Sequence, residues 1–168
     1  MPENYLEQLV SEWYEYQGYF VRRNIPVSKL EKGGYETELD IVAFNPQSNH
    51  LVHIEPSMDA DSWARRDERY GRKFELGREY IPAIFEGFEI PTEIDQMAVL
   101  VFASKQNRDA VGGGRIVLIQ ELLQEIFRHL LSLDIYSSVI PEHLPILRSF
   151  QFATQYRDLI SEIWEQAA

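Results

Sequence analysis

Cysteine is absent from the 168-residue chain. Its absence excludes disulfide bonds, thiolate zinc sites and cysteine nucleophiles, and it fits a reducing compartment. A bound metal ion would therefore need oxygen or imidazole ligands. Long apolar runs are missing too, since no stretch reaches the roughly 18 residues that cross a bilayer, and there is no secretory or lipidation motif. We therefore expect a soluble, cytoplasmic protein without a membrane partner.

Positive charge is also scarce, because 16 lysines and arginines stand against 27 aspartates and glutamates, which gives a formal net charge of −11 at pH 7. Such a charge repels phosphate backbones at long range and disfavours tight nonspecific DNA binding by an isolated monomer. Any contact with nucleic acid must then be local. A serine nucleophile has little support, since no serine stands in a G-x-S-x-G elbow.

The apolar content, 45% hydrophobic and 12% aromatic, is ample for a core, and with the chain length it predicts one domain over residues 1–168. Hydrophobic periodicity and turn residues predict a mixed order of helices and strands. Helices are predicted over residues 3–17, 61–80 (polar, broken near Gly77 and at Pro82), 120–133 and 154–166. Strands are predicted over 19–23, 37–44, 51–57, 96–103 and 115–119, with loops at 28–34 and 138–147. This order predicts an α/β fold with a mixed central β-sheet.

Two carboxylates stand in segments that otherwise resemble the interior of a sheet. Asp40 lies in TELDIVAF (37–44) and Glu55 in LVHIEPS (51–57), and the Asn-Pro step between these segments predicts a β-hairpin. If the two strands pair directly, alternation of side chains places both carboxylates on one surface. Burying an unpaired charge costs roughly several kcal/mol, so a partner is expected. A divalent metal is the simplest shared partner, whereas each carboxylate taken alone favours an ion pair with an arginine.

A third carboxylate belongs to the first predicted helix. Glu7 borders its apolar face, on the stripe with Val10 and Tyr14, and can reach inward. A metal held by these carboxylates would stabilise the negative charge that develops at a phosphoryl centre and would lower the pKa of a bound water. Glu3 and Glu12 compete with Glu7 for this place, and a solvated flank of the helix is the plainer interpretation.

This layout resembles the PD-(D/E)xK, or restriction-endonuclease-like, nuclease superfamily. In that superfamily a first helix with a glutamate precedes a strand with a metal-binding aspartate, and the next strand carries (D/E)xK and is followed by a helix. Here YLEQLVSEWYEYQGY carries Glu7, ELDIVAF carries Asp40 and HIEPS carries Glu55, so the resemblance covers roughly residues 5–80. It implies a three-layer restriction-endonuclease-like domain that binds Mg²⁺ or Mn²⁺ through Asp40, Glu55 and Glu7. It further implies hydrolysis of phosphodiester bonds, with DNA favoured as the substrate.

The chain departs from that pattern at Ser57, where the superfamily has a lysine. A neutral hydroxyl is poorly suited to activate water or to offset charge at a phosphate. A cation of the following helix is one replacement, and Lys73 is the only lysine in a group with Arg65, Arg66, Arg69, Arg72 and Arg78. The alternative is a catalytically inactive module that binds a partner protein or assembles as a homo-oligomer.

Other polar features have plainer interpretations. The arginine-rich helix is more typical of a solvated surface with ion pairs than of a phosphate track. His53 is close enough in sequence to join the site, although a single strand histidine is more often a hydrogen-bonded structural residue. Glu38 is either a further site carboxylate or exposed. An acidic surface that mimics nucleic acid is a third functional class, which net charge alone does not specify.

Overall fold

The computed structural model describes residues 4–167 of the chain. Contacts divide the described residues into two compact units, the first ending at Ile119 and the second beginning at Gln120. The first contains α1 (Tyr5–Tyr16), β1 (Phe20–Lys29), β2 (Tyr35–Asn45), β3 (His50–Ser57), α2 (Trp63–Ile84), β4 (Asp95–Leu100), β5 (Ala110–Val111) and β6 (Gly114–Leu118). The second is helical and contains α3 (Ile119–Leu131) apart from its first residue, α4 (Pro145–Gln155) and α5 (Arg157–Ala167). The single domain over residues 1–168 stays a prediction.

The strands of the first unit form one mixed sheet in the order β1-β2-β3-β4-β6-β5. The first three strands are antiparallel neighbours, so the predicted hairpin of β2 and β3 is present. The next two pairings, of β3 with β4 and of β4 with β6, are parallel. Helix α2 supplies the crossover that a parallel β3-β4 connection requires. The predicted α/β class with a mixed central sheet is therefore confirmed, and its helices are compatible with a three-layer arrangement.

Helix α2 crosses the sheet and packs on both halves of it. One buried cluster joins its residues Leu76 and Ile81 to β1, β2 and β3, through side chains that include Val42. A second joins Tyr70 and Phe74 to β4, β6 and the short strand β5. These two clusters fix the rotation of α2 about its own axis. The rotation in turn determines which strand residues each buried side chain of α2 contacts.

Helix α1 lies within its predicted span of residues 3–17, of which residue 3, the competing carboxylate Glu3, is outside the described residues. Asn4 caps it, since its side chain accepts from the amide of Leu6, and Gly18 follows it at a φ of 87°. Asparagine is a favoured N-cap residue, and glycine readily adopts the left-handed conformation that often follows the end of a helix. Its buried residues include Leu6, Leu9 and Trp13 on the predicted apolar face.

Several predicted bounds of elements were wrong. The first strand runs to Lys29 and not to residue 23, because Pro26 lies on an edge strand, where a missing amide donor is tolerated. Helix α2 continues through Gly77 and contains Pro82 in its last turn. The segment predicted as a connection ends in α4, which starts at Pro145 because proline suits the first turn of a helix.

No helix within residues 4–167 has both the length and the apolar character that a bilayer crossing requires.

Candidate active site

The two predicted carboxylates converge on one surface of the β2-β3 hairpin. Ile41 pairs with Ile54 and Val42 pairs with His53, and this register continued by one residue sets Asp40 opposite Glu55. The amide of Asp40 donates a hydrogen bond of 3.2 Å to Glu55 Oε1. Glu55 is 1% exposed, whereas Asp40 is partly buried at the edge of the same surface. The hairpin therefore presents a pair of carboxylates, one of them fully inside the protein.

A lysine ammonium lies between these carboxylates although position 57 is a serine. Lys73 projects from α2, and its Nζ donates to Asp40 Oδ1 at 2.7 Å and also to Glu55 Oε2. The attachment of α2 to the sheet sets this geometry, because Phe74 and Tyr70 on the same turn are buried against β4 and its neighbours. The helix that follows β3 thus provides a cation at the carboxylate pair.

Burial and like charge shift the protonation of this cluster. Burial, and next the charge of Glu55, raise the pKa of Asp40 to about 7. Burial also raises the pKa of Glu55, against the effect of Lys73. For Lys73 burial acts downward, but the charges of Glu55 and Asp40 outweigh it and raise its pKa. Lys73 therefore stays protonated at neutral pH, whereas Asp40 is close to its titration point there. A bound cation would favour the ionised form of Asp40.

His53 holds Glu55 from within the core. Its ring is fully buried, with Nε2 2.8 Å from Glu55 Oε1 and Nδ1 3.2 Å from the amide nitrogen of Gln96. That amide is oriented by Phe74 O, which accepts from its nitrogen at 2.8 Å, and by Arg78, which donates to its oxygen at 2.6 Å. Burial lowers the pKa of His53 to about 3, so the ring is neutral, with Nδ1 accepting and Nε2 donating.

This arrangement leaves one oxygen of Glu55 for the site. Glu55 Oε1 already accepts from His53 and from the Asp40 amide, whereas Oε2 faces Lys73. His53 therefore positions the carboxylate and takes the hydrogen-bonded structural role that was one of its two interpretations. Gln96 was not predicted to belong to the site. The only signal in the sequence is that a polar residue begins the otherwise apolar segment QMAVLVFA.

Glu7 lies near the carboxylate pair but is not joined to it by a hydrogen bond of the described structure. Burial, followed by the charge of Asp40, raises its pKa, which reports that Asp40 is a neighbour. Its carboxylate accepts instead from the side chain of Asn4 at 3.0 Å. Glu7 thus lies within electrostatic range of Asp40 but does not line the cavity of the carboxylate pair, and Glu38, on the same strand as Asp40, is exposed.

A cluster beyond Ser57 was not predicted. The Asp59 carboxylate accepts hydrogen bonds from Ser57, Arg69, the amide of Asp61 and Arg66. Burial would raise the pKa of Asp59, but these four donors lower it below the usual range. Ser57 is thus turned toward Asp59 and does not replace the lysine of the superfamily motif.

The carboxylate pair, Lys73 and Ser57 line one cavity of about 220 Å³. Its lining consists of Asp40, Glu55, Pro56, Ser57, Arg69, Tyr70 and Lys73. A wider groove of about 520 Å³ shares Arg69 and Lys73 with this cavity. The groove is lined further by Glu36, Thr37, Asp61, Arg65, Glu68 and Arg72.

The donor chemistry of the cavity suits a hard divalent cation. Asp40 Oδ1 and Glu55 Oε2 both face Lys73 Nζ, and magnesium is commonly held by one or two carboxylates with water completing the shell. Within residues 4–167, however, no group of three or more histidine, aspartate or glutamate side chains is arranged to hold a metal. Asp40 and Glu55 would therefore hold the ion without a third carboxylate of the described residues, and the Lys73 ammonium would have to give way to it.

Comparison with known proteins adds no family: no protein-family model matches the chain, and no curated protein matches it.

Proposed function

We propose that the chain carries a restriction-endonuclease-like domain whose active site is formed by Asp40, Glu55 and Lys73, and that it hydrolyses phosphodiester bonds in DNA with Mg²⁺ or Mn²⁺. The observation that supports the proposal most is the Lys73 ammonium, which lies between two strand carboxylates where the motif itself lacks a lysine. A buried carboxylate pair with a lysine in a cavity, with shifted pKa values, is the kind of cluster found at catalytic sites.

Each residue has a distinct part in this reaction. When bound, the metal supplies Lewis acidity at the phosphoryl group and lowers the pKa of a water. Asp40 and Glu55 would hold the cation, and His53 holds Glu55 so that Oε2 faces Lys73. Lys73 donates hydrogen bonds to phosphoryl oxygens or to the attacking water and offsets the negative charge that develops there. Since its pKa is raised, it acts as a cation and not as a general base.

The test is cleavage of labelled single-stranded and duplex DNA in manganese by the wild-type chain and by Asp40→Asn and Glu55→Gln. We expect each substitution to slow cleavage by about a hundredfold or more, in line with the loss of an electrostatic stabiliser. Glu79→Gln is the matched control, because that carboxylate is exposed on α2 and lines neither the cavity nor the groove beside it. Cleavage that persists in the Asp40→Asn/Glu55→Gln double variant would refute the proposal and point to a contaminating nuclease.

One observation favours a second function. Lys73 already neutralises the carboxylates as an ion-paired cluster, and no third carboxylate completes a metal group within the described residues. A catalytically inactive module that binds a protein or a second copy of itself would keep such a cluster for structural reasons. For this function we expect no heat of binding on titration with magnesium or manganese. Metal binding that is lost in Asp40→Ala would exclude it.

A further inference from the structure

One tyrosine that lines the active-site cavity has a buried hydroxyl with no hydrogen-bond partner among the described residues. Tyr70 lines the cavity and is 1% exposed, yet its hydroxyl makes no hydrogen bond within the part of the chain that the structure describes. Arg69 and Ser57 lie beside it without hydrogen-bond geometry. An unsatisfied buried hydroxyl is unfavourable, and such a group in a folded protein calls for an explanation. Burial raises the pKa of Tyr70, so the group is a permanent donor.

The guanidinium beside that hydroxyl is free to change partners. Arg69 pairs with Asp59 and with Asp61, and its side chain is 39% exposed. If Arg69 left, Asp59 would keep a charged partner, because Arg66 binds the same carboxylate at 3.1 Å. Arg66 itself is held in place by hydrogen bonds to the backbone carbonyls of Asp59 and Phe102. Arg66 is the structural cation of this cluster, and Arg69 is the one that a ligand can recruit.

The geometry also places Arg69 where an anion would meet it. Its Cζ lies 4.9 Å from the centroid of the Tyr70 ring, so the guanidinium covers the tyrosine at the cavity wall. Because Arg69 and Tyr70 both line the cavity, a negatively charged ligand inside it can meet both side chains. The carboxylates of Asp40 and Glu55 line the same cavity and repel an anion from their own part of it, while Lys73 adds a second cation to the lining.

We propose that Arg69 and Tyr70 form a phosphate-binding subsite of this cavity, in which the guanidinium and the phenol hydroxyl each donate to a non-bridging phosphate oxygen. That this phosphate belongs to the phosphodiester of a DNA strand rests on the function proposed above. The subsite orients the phosphate so that its remaining oxygens face Lys73 and the carboxylate pair. Tyr70 thereby gains the hydrogen bond that it lacks in the protein alone.

The test is a titration with inorganic phosphate, followed by ³¹P and protein NMR in metal-free buffer, on the wild type and on Tyr70→Phe. We expect Tyr70→Phe to bind phosphate about tenfold more weakly, because a hydrogen bond to a charged group is lost. Its thermal stability should be equal or higher, because the variant removes an unsatisfied buried hydroxyl. Ser11→Ala is the matched control, since Ser11 is the other unpartnered buried hydroxyl of the described residues and lies outside the cavity.

The outcomes separate a ligand-binding hydroxyl from a merely buried one. Loss of phosphate affinity in Tyr70→Phe with no loss in Ser11→Ala supports the subsite. Equal affinity in all three proteins, or no phosphate binding by the wild type, overturns it. Should Tyr70→Phe fail to fold, Arg69→Gln replaces it, and unchanged affinity in that variant overturns the subsite equally.

Failure of the subsite and failure of the nuclease proposal remain distinguishable, because phosphate binding is measured without metal and without turnover. A chain that binds phosphate through Tyr70 but does not cleave DNA in manganese keeps the subsite and loses the nuclease. A chain that cleaves DNA through Asp40 and Glu55 while Tyr70→Phe binds phosphate normally keeps the nuclease and loses the subsite.

Discussion

At the scale of single residues, the central feature of the site is a competition for the same oxygens. The Lys73 ammonium occupies Asp40 Oδ1 and Glu55 Oε2, which are the oxygens that a divalent cation would use. Removing one partner from a buried ion cluster leaves uncompensated charge behind. The lysine therefore stabilises the metal-free protein while it opposes the metal on which the proposed reaction depends.

Replacement of Lys73 by methionine should separate these effects. Lys73→Met keeps the length of the side chain but removes the charge, so we expect manganese to bind at least about tenfold more tightly, while DNA cleavage is lost. In chelator the variant should melt well below the wild type, with a loss of about 3 kcal/mol or more, and manganese should restore much of it. Calorimetric titration and thermal melting measure both effects, with the exposed Lys32→Met as control. Weaker metal binding by Lys73→Met would mean that the lysine does not compete.

The residues of this site differ in how far the sequence could predict them. Asp40 and Glu55 could be found because strand alternation and one short turn set their proximity. Lys73 could be named as the only lysine among the helix cations, but its contact depends on how α2 is rotated over the sheet. Tyr70 and Gln96 could not be found, because both look like ordinary core positions until their hydrogen-bond partners, or the lack of them, are seen.

At the scale of elements, α2 lies close to the strands that carry the site at the position of a glycine, Gly77. A Cβ on Gly77 would lie 2.3 Å from His53 Nδ1 and 3.1 Å from Gln96 Nε2, so the helix can approach the strands only without a side chain there. Periodicity and capping residues predict that such a helix exists. They do not predict that position 77 requires glycine, because the residues that a side chain there would meet belong to strands distant in sequence.

Two glycines of α2 should respond to alanine in opposite ways. Alanine is favoured over glycine in a helix interior by about 1 kcal/mol, and a Cβ on Gly71 would meet its nearest neighbour at an ordinary 3.8 Å. We therefore expect Gly71→Ala to stabilise the protein by up to about 1 kcal/mol. Gly77→Ala should destabilise it by about 1 to 3 kcal/mol, because the buried His53 ring must shift. Urea unfolding of both variants measures this, and equal stabilisation by both would show that α2 does not press on His53.

At the scale of the whole molecule, the cations of the site are set in an acidic protein. The net charge is −11, and the arginines of the wider groove are already paired, Arg72 with Glu36 and Glu75, and Arg69 with Asp59 and Asp61. Each phosphate that binds there must replace an existing ion pair. DNA binding should accordingly be weak, local and dependent on metal, unlike that of a basic groove that follows the duplex.

Salt dependence tests this local mode. With Lys73→Met in manganese, so that DNA is bound but not cut, we expect few phosphate contacts and a shallow dependence of affinity on salt. Arg72→Gln in that background should weaken binding to all sequences alike and reduce the slope of log affinity against log salt by about 0.9, the value for one phosphate contact. Arg157→Gln, an exposed arginine of the second unit, should change neither quantity. A steep slope that Arg72→Gln leaves untouched would place the DNA on another surface, since Arg65, Arg69 and Arg72 are the arginines that line the groove beside Lys73.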